Sequence, residues 1–225
     1  MNNKLIVALD FSSKKDGLKI VEELKGLVEI FKVGVQLFTS CGPKIISEIK
    51  ERKVNIFLDL KFFDIPNTVE KASEVATALD VDFFDLHLSG GREMIKAAIT
   101  GAERRAMLLG KNRPKILGVT VLTSQSSNIS EIVNLSIMAE ENGLDGVIAS
   151  GLEVAEIRKR VGKDFLILCP GIRPSWAKKQ EDQKRIISPK EAIENGASYI
   201  IVGRAITSAK NPREATERIL KEMTA

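Results

Sequence analysis

The sequence predicts an α/β fold, a single (β/α)8 barrel, and three observations carry that expectation. Short runs rich in Val, Ile and Leu alternate with longer amphipathic stretches from one end of the chain to the other. Eight such runs occur, each separated from the next by about one βα unit. The runs are apolar on both faces, as in Val54-Asn55-Ile56-Phe57-Leu58 and Ile200-Ile201-Val202, which is what parallel strands covered by helices require.

Taken in order, strands are expected at residues 4–9, 29–33, 54–60, 82–88, 115–121, 146–149, 165–169 and 199–202. Helical periodicity marks residues 15–25, 44–52, 69–78, 94–109, 132–142 and 154–161 between them. The strand-end markers Asp10, Lys32, Asp59, His87, Thr120, Ala149, Cys169 and Val202 stand 20 to 33 residues apart. With no linker or low-complexity tract, residues 1–225 read as one domain. A doubly wound open sheet is the alternative, but no Gly-x-Gly-x-x-Gly turn follows the first strand.

Composition narrows the function classes. With 44% hydrophobic and 28% charged residues, the 225-residue chain has the balance of a globule with ample core. No apolar run approaches the ~18 residues of a membrane span, and Met1-Asn2-Asn3-Lys4 leads straight into a strand-like run, so no membrane association and a cytoplasmic location are expected. Thirty-four Lys and Arg against 30 Asp and Glu give a net charge of +4. That suits an anionic ligand but is too evenly spread for a nucleic-acid partner. Two cysteines, Cys41 and Cys169, and the single His87 cannot assemble a disulfide framework or a zinc site of Cys/His spacing in one chain. Both thiols are expected to be buried.

Charges stand where a barrel core should be apolar. Lys32 interrupts Ile30-Phe31-Lys32-Val33, and Asp59 and Lys61 follow Ile56-Phe57-Leu58. Strand side chains alternate, so Asp59 and Lys61 share one face while Leu58, Leu60 and Phe62 take the other. If the apolar set faces the helices, Asp59 and Lys61 look into the barrel mouth at the carboxyl end of the third strand, where barrel enzymes carry their active sites. Lys32 and Asp10 end the second and first strands. Burying any of these charges alone would be costly, so an alternating network of ammonium and carboxylate groups is expected. Asp64 taken alone is a helix-start residue before Pro66; beside Asp59 and Lys61 it reads as a further member of that network.

The strand-to-helix segment Ile200-Ile201-Val202-Gly203-Arg204-Ala205 reads as a phosphate cradle. Gly203 allows close backbone approach, the helix that follows offers its positive end, and Arg204 adds a guanidinium fork. Residues 170–187 form a polar segment longer than ordinary βα loops. Within it Arg173 and Gln183 could fold over an anion, and Trp176 could pack the segment onto the barrel rim. His87 is expected to hydrogen-bond within the barrel end, and Cys169 has no basic partner that would make it a nucleophile.

The segment Ile56-Phe57-Leu58-Asp59-Leu60-Lys61-Phe62-Phe63-Asp64-Ile65-Pro66-Asn67-Thr68 resembles the Asp-x-Lys-x-x-Asp signature of the orotidine 5'-phosphate decarboxylase family. Supporting matches follow in order across nearly the whole chain: Leu9-Asp10, Phe31-Lys32-Val33-Gly34, Val119-Thr120-Val121-Leu122-Thr123-Ser124, Pro170-Gly171-Ile172-Arg173-Pro174, Asp182-Gln183 and Val202-Gly203-Arg204. The resemblance implies loss of CO2 from orotidine 5'-phosphate to give uridine 5'-phosphate, by a homodimer that uses neither metal nor organic cofactor. It implies Lys61 as the proton donor, Asp59 against the substrate carboxylate, and Lys32 and Asp64 completing the network. Asp64 and Thr68 would come from the partner subunit. Asp10 and Lys32 would hold ribose hydroxyls, Thr123 would read the pyrimidine edge, and Arg173, Gln183, Gly203 and Arg204 would grip the phosphate, with Gln180 competing for the amide contact. Two other readings stand beside it: a magnesium-dependent keto-sugar-phosphate decarboxylase or hexulose-phosphate synthase, and a noncatalytic phosphonucleotide-binding barrel.

Overall fold

The computed structural model describes residues 4–121, 128–176 and 187–224. Eight parallel strands close on themselves in sequence order: β1 (Leu5–Ala8), β2 (Ile30–Gly34), β3 (Asn55–Phe62), β4 (Phe83–His87), β5 (Lys115–Val119), β6 (Gly146–Ile148), β7 (Leu166–Cys169) and β8 (Tyr199–Val202). Strand β8 returns to pair with β1 through Leu5 and Ile200. The (β/α)8 barrel expected from the sequence is the fold observed, with each strand within two residues of its expected bounds.

The helices between them are α1 (Lys14–Leu24), α2 (Val35–Cys41), α3 (Lys44–Lys50), α4 (Pro66–Ala78), α5 (Gly91–Leu109), α6 (Ile129–Glu141), α7 (Val154–Arg158), α8 (Pro189–Glu194), α9 (Arg204–Thr207) and α10 (Pro212–Glu222). Capping side chains set several of the starts. The Ser13 hydroxyl accepts from Asp16 N–H at α1, and Ser188 and Glu191 form a reciprocal capping box at α8. Helix α4 begins three residues earlier than periodicity indicates, because Pro66 occupies its first turn, where a missing N–H costs nothing.

Two apolar layers hold the barrel. Outside, Val7, Phe31, Ile56, Leu58, Phe84 and Leu86 point to the helices; inside, Ile6, Ile30, Phe57, Phe83, Leu117, Leu168 and Ile201 fill the lumen. Phe57 and Tyr199 each meet Phe83 edge-on, at 6.4 and 5.9 Å between ring centroids. At the amino end Asp82 Oδ2 accepts from Ile56 N–H at 2.7 Å and Lys50 Nζ at 2.9 Å. Asp145 Oδ2 accepts from Ile116 N–H at 2.8 Å, and its Oδ1 from Lys115 Nζ at 3.1 Å. These charges tie loops to strand starts at the end of the barrel associated with stability rather than chemistry. Among the described residues no helix is long and apolar enough to cross a membrane.

Candidate active site

Above the aromatic layer of the lumen the inward positions turn from apolar to charged. Lys32 lies beside Ala8 in the sheet, Asp59 is paired with Gly34, and both charged side chains are almost fully buried. Lys32 Nζ is 2.8 Å from Asp59 Oδ2 and 3.3 Å from Asp10 Oδ1. Lys61 Nζ bonds Asp59 Oδ1. The sequence therefore folds Asp10, Lys32, Asp59 and Lys61 into one alternating chain, as charge pairing required. Gly34 keeps it compact: a Cβ there would stand 3.0 Å from Lys32 Nζ and 3.5 Å from Asp10 Oδ1.

The electrostatics follow from burial set against pairing. Burial opposes charge on Asp59, yet Lys32 and Lys61 outweigh it and hold the carboxyl well below the usual carboxylate range. Burial likewise opposes the Lys32 ammonium, and Asp59 and Asp10 outweigh it, so its pKa stands above that of an ordinary lysine. Burial, then the Lys61 charge, favours neutral His87, whose ring meets Phe63 edge-on at 5.6 Å. Cys169 is buried and its thiol is pushed up to about 12, first by burial and then by Glu153, which agrees with an inert cysteine. Cys41 is only half-buried.

The geometry around Lys61 departs from the regular alternation expected. Leu58 pairs with Phe84, but the next partner of β4 is Phe62 with Leu86, so β3 carries two extra residues there. Two residues preserve parity, which leaves Leu58 and Phe62 both facing outward. The excess is absorbed by a bulge in which Lys61 is left-handed, at φ +53°, a conformation that costs a non-glycine residue about 1 kcal/mol. The Lys61 N–H, taken out of the strand ladder, donates to Asp85 Oδ1 at 2.8 Å. Asp85 Oδ2 also lies 4.0 Å from Lys61 Nζ. Asp85 is thus a site residue that the sequence reading passed over. The available signal was an acid in an otherwise apolar strand, Phe83-Phe84-Asp85-Leu86.

Asp64 and Thr68 are exposed in this chain and do not join that network. Asp64 Oδ1 accepts from Ile65 N–H at 2.7 Å. Two exposed apolar side chains, Phe63 and Ile65, at 62% and 66% exposure, flank Asp64 in the chain.

Two cavities meet at Lys32, Asp59, Pro170 and Ile201. The larger, about 550 Å³, runs from these residues and Asp10 to Arg173, Gly203 and Arg204. The smaller, about 150 Å³, lies inside the barrel mouth between Lys61 and the apolar Phe57, Val119, Val121 and Ile148. The shape is a polar, cationic chamber leading into a narrow, mostly apolar slot with an ammonium on its wall.

At the cradle, Gly203 caps α9, but that helix has only four residues. It is too short to supply the dipole expected of it, so anion affinity must come from backbone N–H groups and Arg204. The segment after β7 is tied down at its start. Arg173 N–H donates to Ile187 O at 2.9 Å, Ser175 N–H to Glu222 Oε1 at 3.2 Å, and the Arg218 guanidinium stacks 4.2 Å from the Trp176 ring centre. Trp176 does pack the segment onto the rim. Thr123, Gln180 and Gln183 lie outside the described residues. Among the described residues no group of three His, Cys, Asp or Glu side chains is placed to hold a metal ion.

The chain is similar to known proteins along nearly its whole length. Residues 3–219 match the model of the Orotidine 5'-phosphate decarboxylase / HUMPS family. A protein of Nostoc sp. named orotidine 5'-phosphate decarboxylase is 43% identical over 99% of this chain and 98% of its own length. Another of that name, from Carboxydothermus hydrogenoformans, is 45% identical over 99% of this chain and 97% of its own. The crystal structure of orotidine 5'-phosphate decarboxylase from Lactobacillus acidophilus superposes with a TM-score of 0.85 at 37% identity, covering all of both chains. On matched sequence, barrel and length, this chain belongs to the orotidine 5'-phosphate decarboxylase / HUMPS family.

Proposed function

We propose that this barrel decarboxylates orotidine 5'-phosphate to uridine 5'-phosphate and CO2, as a step of pyrimidine biosynthesis, with neither metal nor organic cofactor. The observation that carries this reading is the unbroken Asp10-Lys32-Asp59-Lys61 chain, placed where a cationic chamber opens into an apolar slot. A nucleotide orotate fits that shape. Its phosphate would take the Arg173, Gly203 and Arg204 end with Gln183, its ribose hydroxyls Asp10 and Lys32, and its ring the slot, with Thr123 at the pyrimidine edge.

The chemistry then falls to Lys61. Breaking the bond to the carboxylate leaves an electron pair in the ring plane, where the π system cannot delocalise it. A fixed ammonium beside that carbon stabilises the charge without reorganising at the moment of reaction. Lys61 gives a proton to the carbon as CO2 departs and regains one from solvent. Asp59, held ionised by two lysines, faces the leaving carboxylate and aims Lys61. Phosphate contacts far from the reacting carbon help assemble the site, as remote binding energy does when it raises the rate of the chemical step.

Asp64 and Thr68 complete the site from a partner subunit in a homodimer. Their exposure beside Phe63 and Ile65 supports this, since exposed apolar side chains around polar ones mark an interface.

The second reading is a magnesium-dependent keto-sugar-phosphate enzyme on the same barrel. Such a site needs carboxylates free to bind the ion, whereas Asp10 and Asp59 are both engaged by Lys32. Orotidine 5'-phosphate, a keto-sugar-acid phosphate and a hexulose phosphate, each offered with EDTA and with magnesium, separate the two. Turnover of the nucleotide in EDTA is expected. Activity confined to either sugar phosphate and dependent on magnesium would replace the first reading with the second.

A further inference from the structure

We propose that Asp85 is a positioning residue for Lys61, a neutral acid whose Oδ1 fixes the Lys61 main chain while Oδ2 carries a proton and donates to Asp59. The inference rests on the decarboxylase reading for its kinetic readout, but its geometry stands apart from that reading.

Asp85 is on the lumen side of β4, since Phe83 faces inward and Phe84 and Leu86 outward. Its side chain is completely buried. One oxygen receives the Lys61 N–H. Among the described residues the other, Oδ2, is buried with no donor supplied to it, and the Asp85 carboxyl interacts with the neighbouring Asp59 carboxyl across the strands. Two interacting buried carboxyl groups cannot both be ionised without severe repulsion, so one must hold a proton. Asp59 is the wrong one, because two ammonium groups already touch it. The charged groups facing Asp85 are Asp59 and Lys61 from β3, with Lys32 behind Asp59. His87 lies on the same face of β4, and the register partner of Asp85 on β5 is the apolar Leu117. Among the described residues the one cation paired with it, Lys61 Nζ at 4.0 Å, is already bonded to Asp59. Burial first, and the Asp59 charge second, push the Asp85 carboxyl well above the usual range.

Such a proton settles two unusual features at once. The Asp85 hydroxyl satisfies its own buried oxygen and adds a third donor to Asp59. The opposite oxygen holds Lys61 in the left-handed bulge that turns its ammonium toward the slot. Asp85 lines neither the chamber nor the slot, and it acts through Lys61 and Asp59.

The test compares wild type with Asp85→Asn and Asp85→Leu, reading kcat, KM and the pH profile for orotidine 5'-phosphate, together with uridine 5'-phosphate affinity. An amide reproduces both contacts, its carbonyl accepting from Lys61 and its N–H donating to Asp59. Asp85→Asn is therefore expected within about threefold of wild type in kcat, with the same pH profile. Asp85→Leu is expected to fold and bind uridine 5'-phosphate yet lose about 100-fold in kcat, through displacement of Lys61. Asp85→Asn as impaired as Asp85→Leu, or Asp85→Leu as fast as wild type, would overturn the proposal. A second readout needs no turnover. The infrared difference between wild type and Asp85→Asn at neutral pH should contain the carbonyl stretch of a protonated carboxyl. Its absence overturns the proposal even if Asp85→Leu cannot fold. If wild type itself fails to turn over, the decarboxylase reading falls while the infrared result still decides the state of Asp85.

Discussion

Lys32 Nζ lies 2.8 Å from Asp59 Oδ2, and both side chains are almost wholly removed from water. Neither could be buried alone, and the pair is stable only because Asp10 and Lys61 extend it on both sides. Replacing Lys32 with Met should leave Asp59 dependent on Lys61 and Asp10 without this ammonium. We expect a loss of about 3 kcal/mol in folding stability, seen as a lowered urea midpoint. Unchanged stability would mean the network is held by something other than its charge pairs.

The cradle predicts a different pattern. Arg204 lines the larger chamber beside Gly203 and does not line the Lys61 slot. Arg204→Ala should cost about 2 kcal/mol of transition-state binding, roughly 30-fold in kcat/KM, from loss of charge-assisted hydrogen bonds to phosphate. The deficit should shrink for a substrate lacking the phosphate. An equal deficit on that substrate would remove Arg204 from the phosphate site.

Asp59 and Asp85 should give stability opposite slopes with pH. Asp59, held low in the folded state, contributes stability above the unfolded carboxyl value of about 3.9 that is lost as pH falls through its native pKa. Asp85, raised in the folded state, binds more proton when native, so its contribution is full below about 3.9 and falls as pH rises toward its native pKa. Asp85→Asn removes the second slope only. Its stability relative to wild type should therefore increase from acid pH toward neutrality in urea melts, and a constant difference would contradict a raised Asp85.

A site shared between subunits can be tested by mixing inactive variants. Lys61→Ala and Asp64→Asn would each be nearly inactive alone. In a randomly reassorted homodimer half of the dimers are mixed, and each mixed dimer regains one intact site, giving about a quarter of wild-type activity. No recovery after confirmed subunit exchange would place Asp64 outside the partner's site.

Much of this arrangement was legible in the sequence because barrel strands impose a strict inside-outside pattern. A Lys at position 32 or an Asp at 59 violates it visibly, and violation in a core requires pairing. Gly203 and Arg204 were legible for a similar reason, as a strand that ends in a glycine and a cation. The bulge at Lys61 was not, because two inserted residues preserve the apolar alternation of Leu58 and Phe62 and leave no trace in periodicity. Asp85 was passed over because its partners are the Lys61 N–H, which only the bulge releases, and Asp59 on the neighbouring strand. The four-residue length of α9 was hidden by Ser208 to Pro212, where one helix stops and another starts within a few residues.

The most direct measurement is the absorbance decay of the orotate chromophore when purified protein meets orotidine 5'-phosphate in EDTA, run beside Lys61→Ala. Wild type is expected to consume the chromophore. Lys61→Ala is expected to bind uridine 5'-phosphate but to be slower by about 10³-fold or more, having lost the ammonium that meets the carbanion. Equal rates for the two proteins, or no decay with wild type, would contradict a metal-free decarboxylation centred on Lys61.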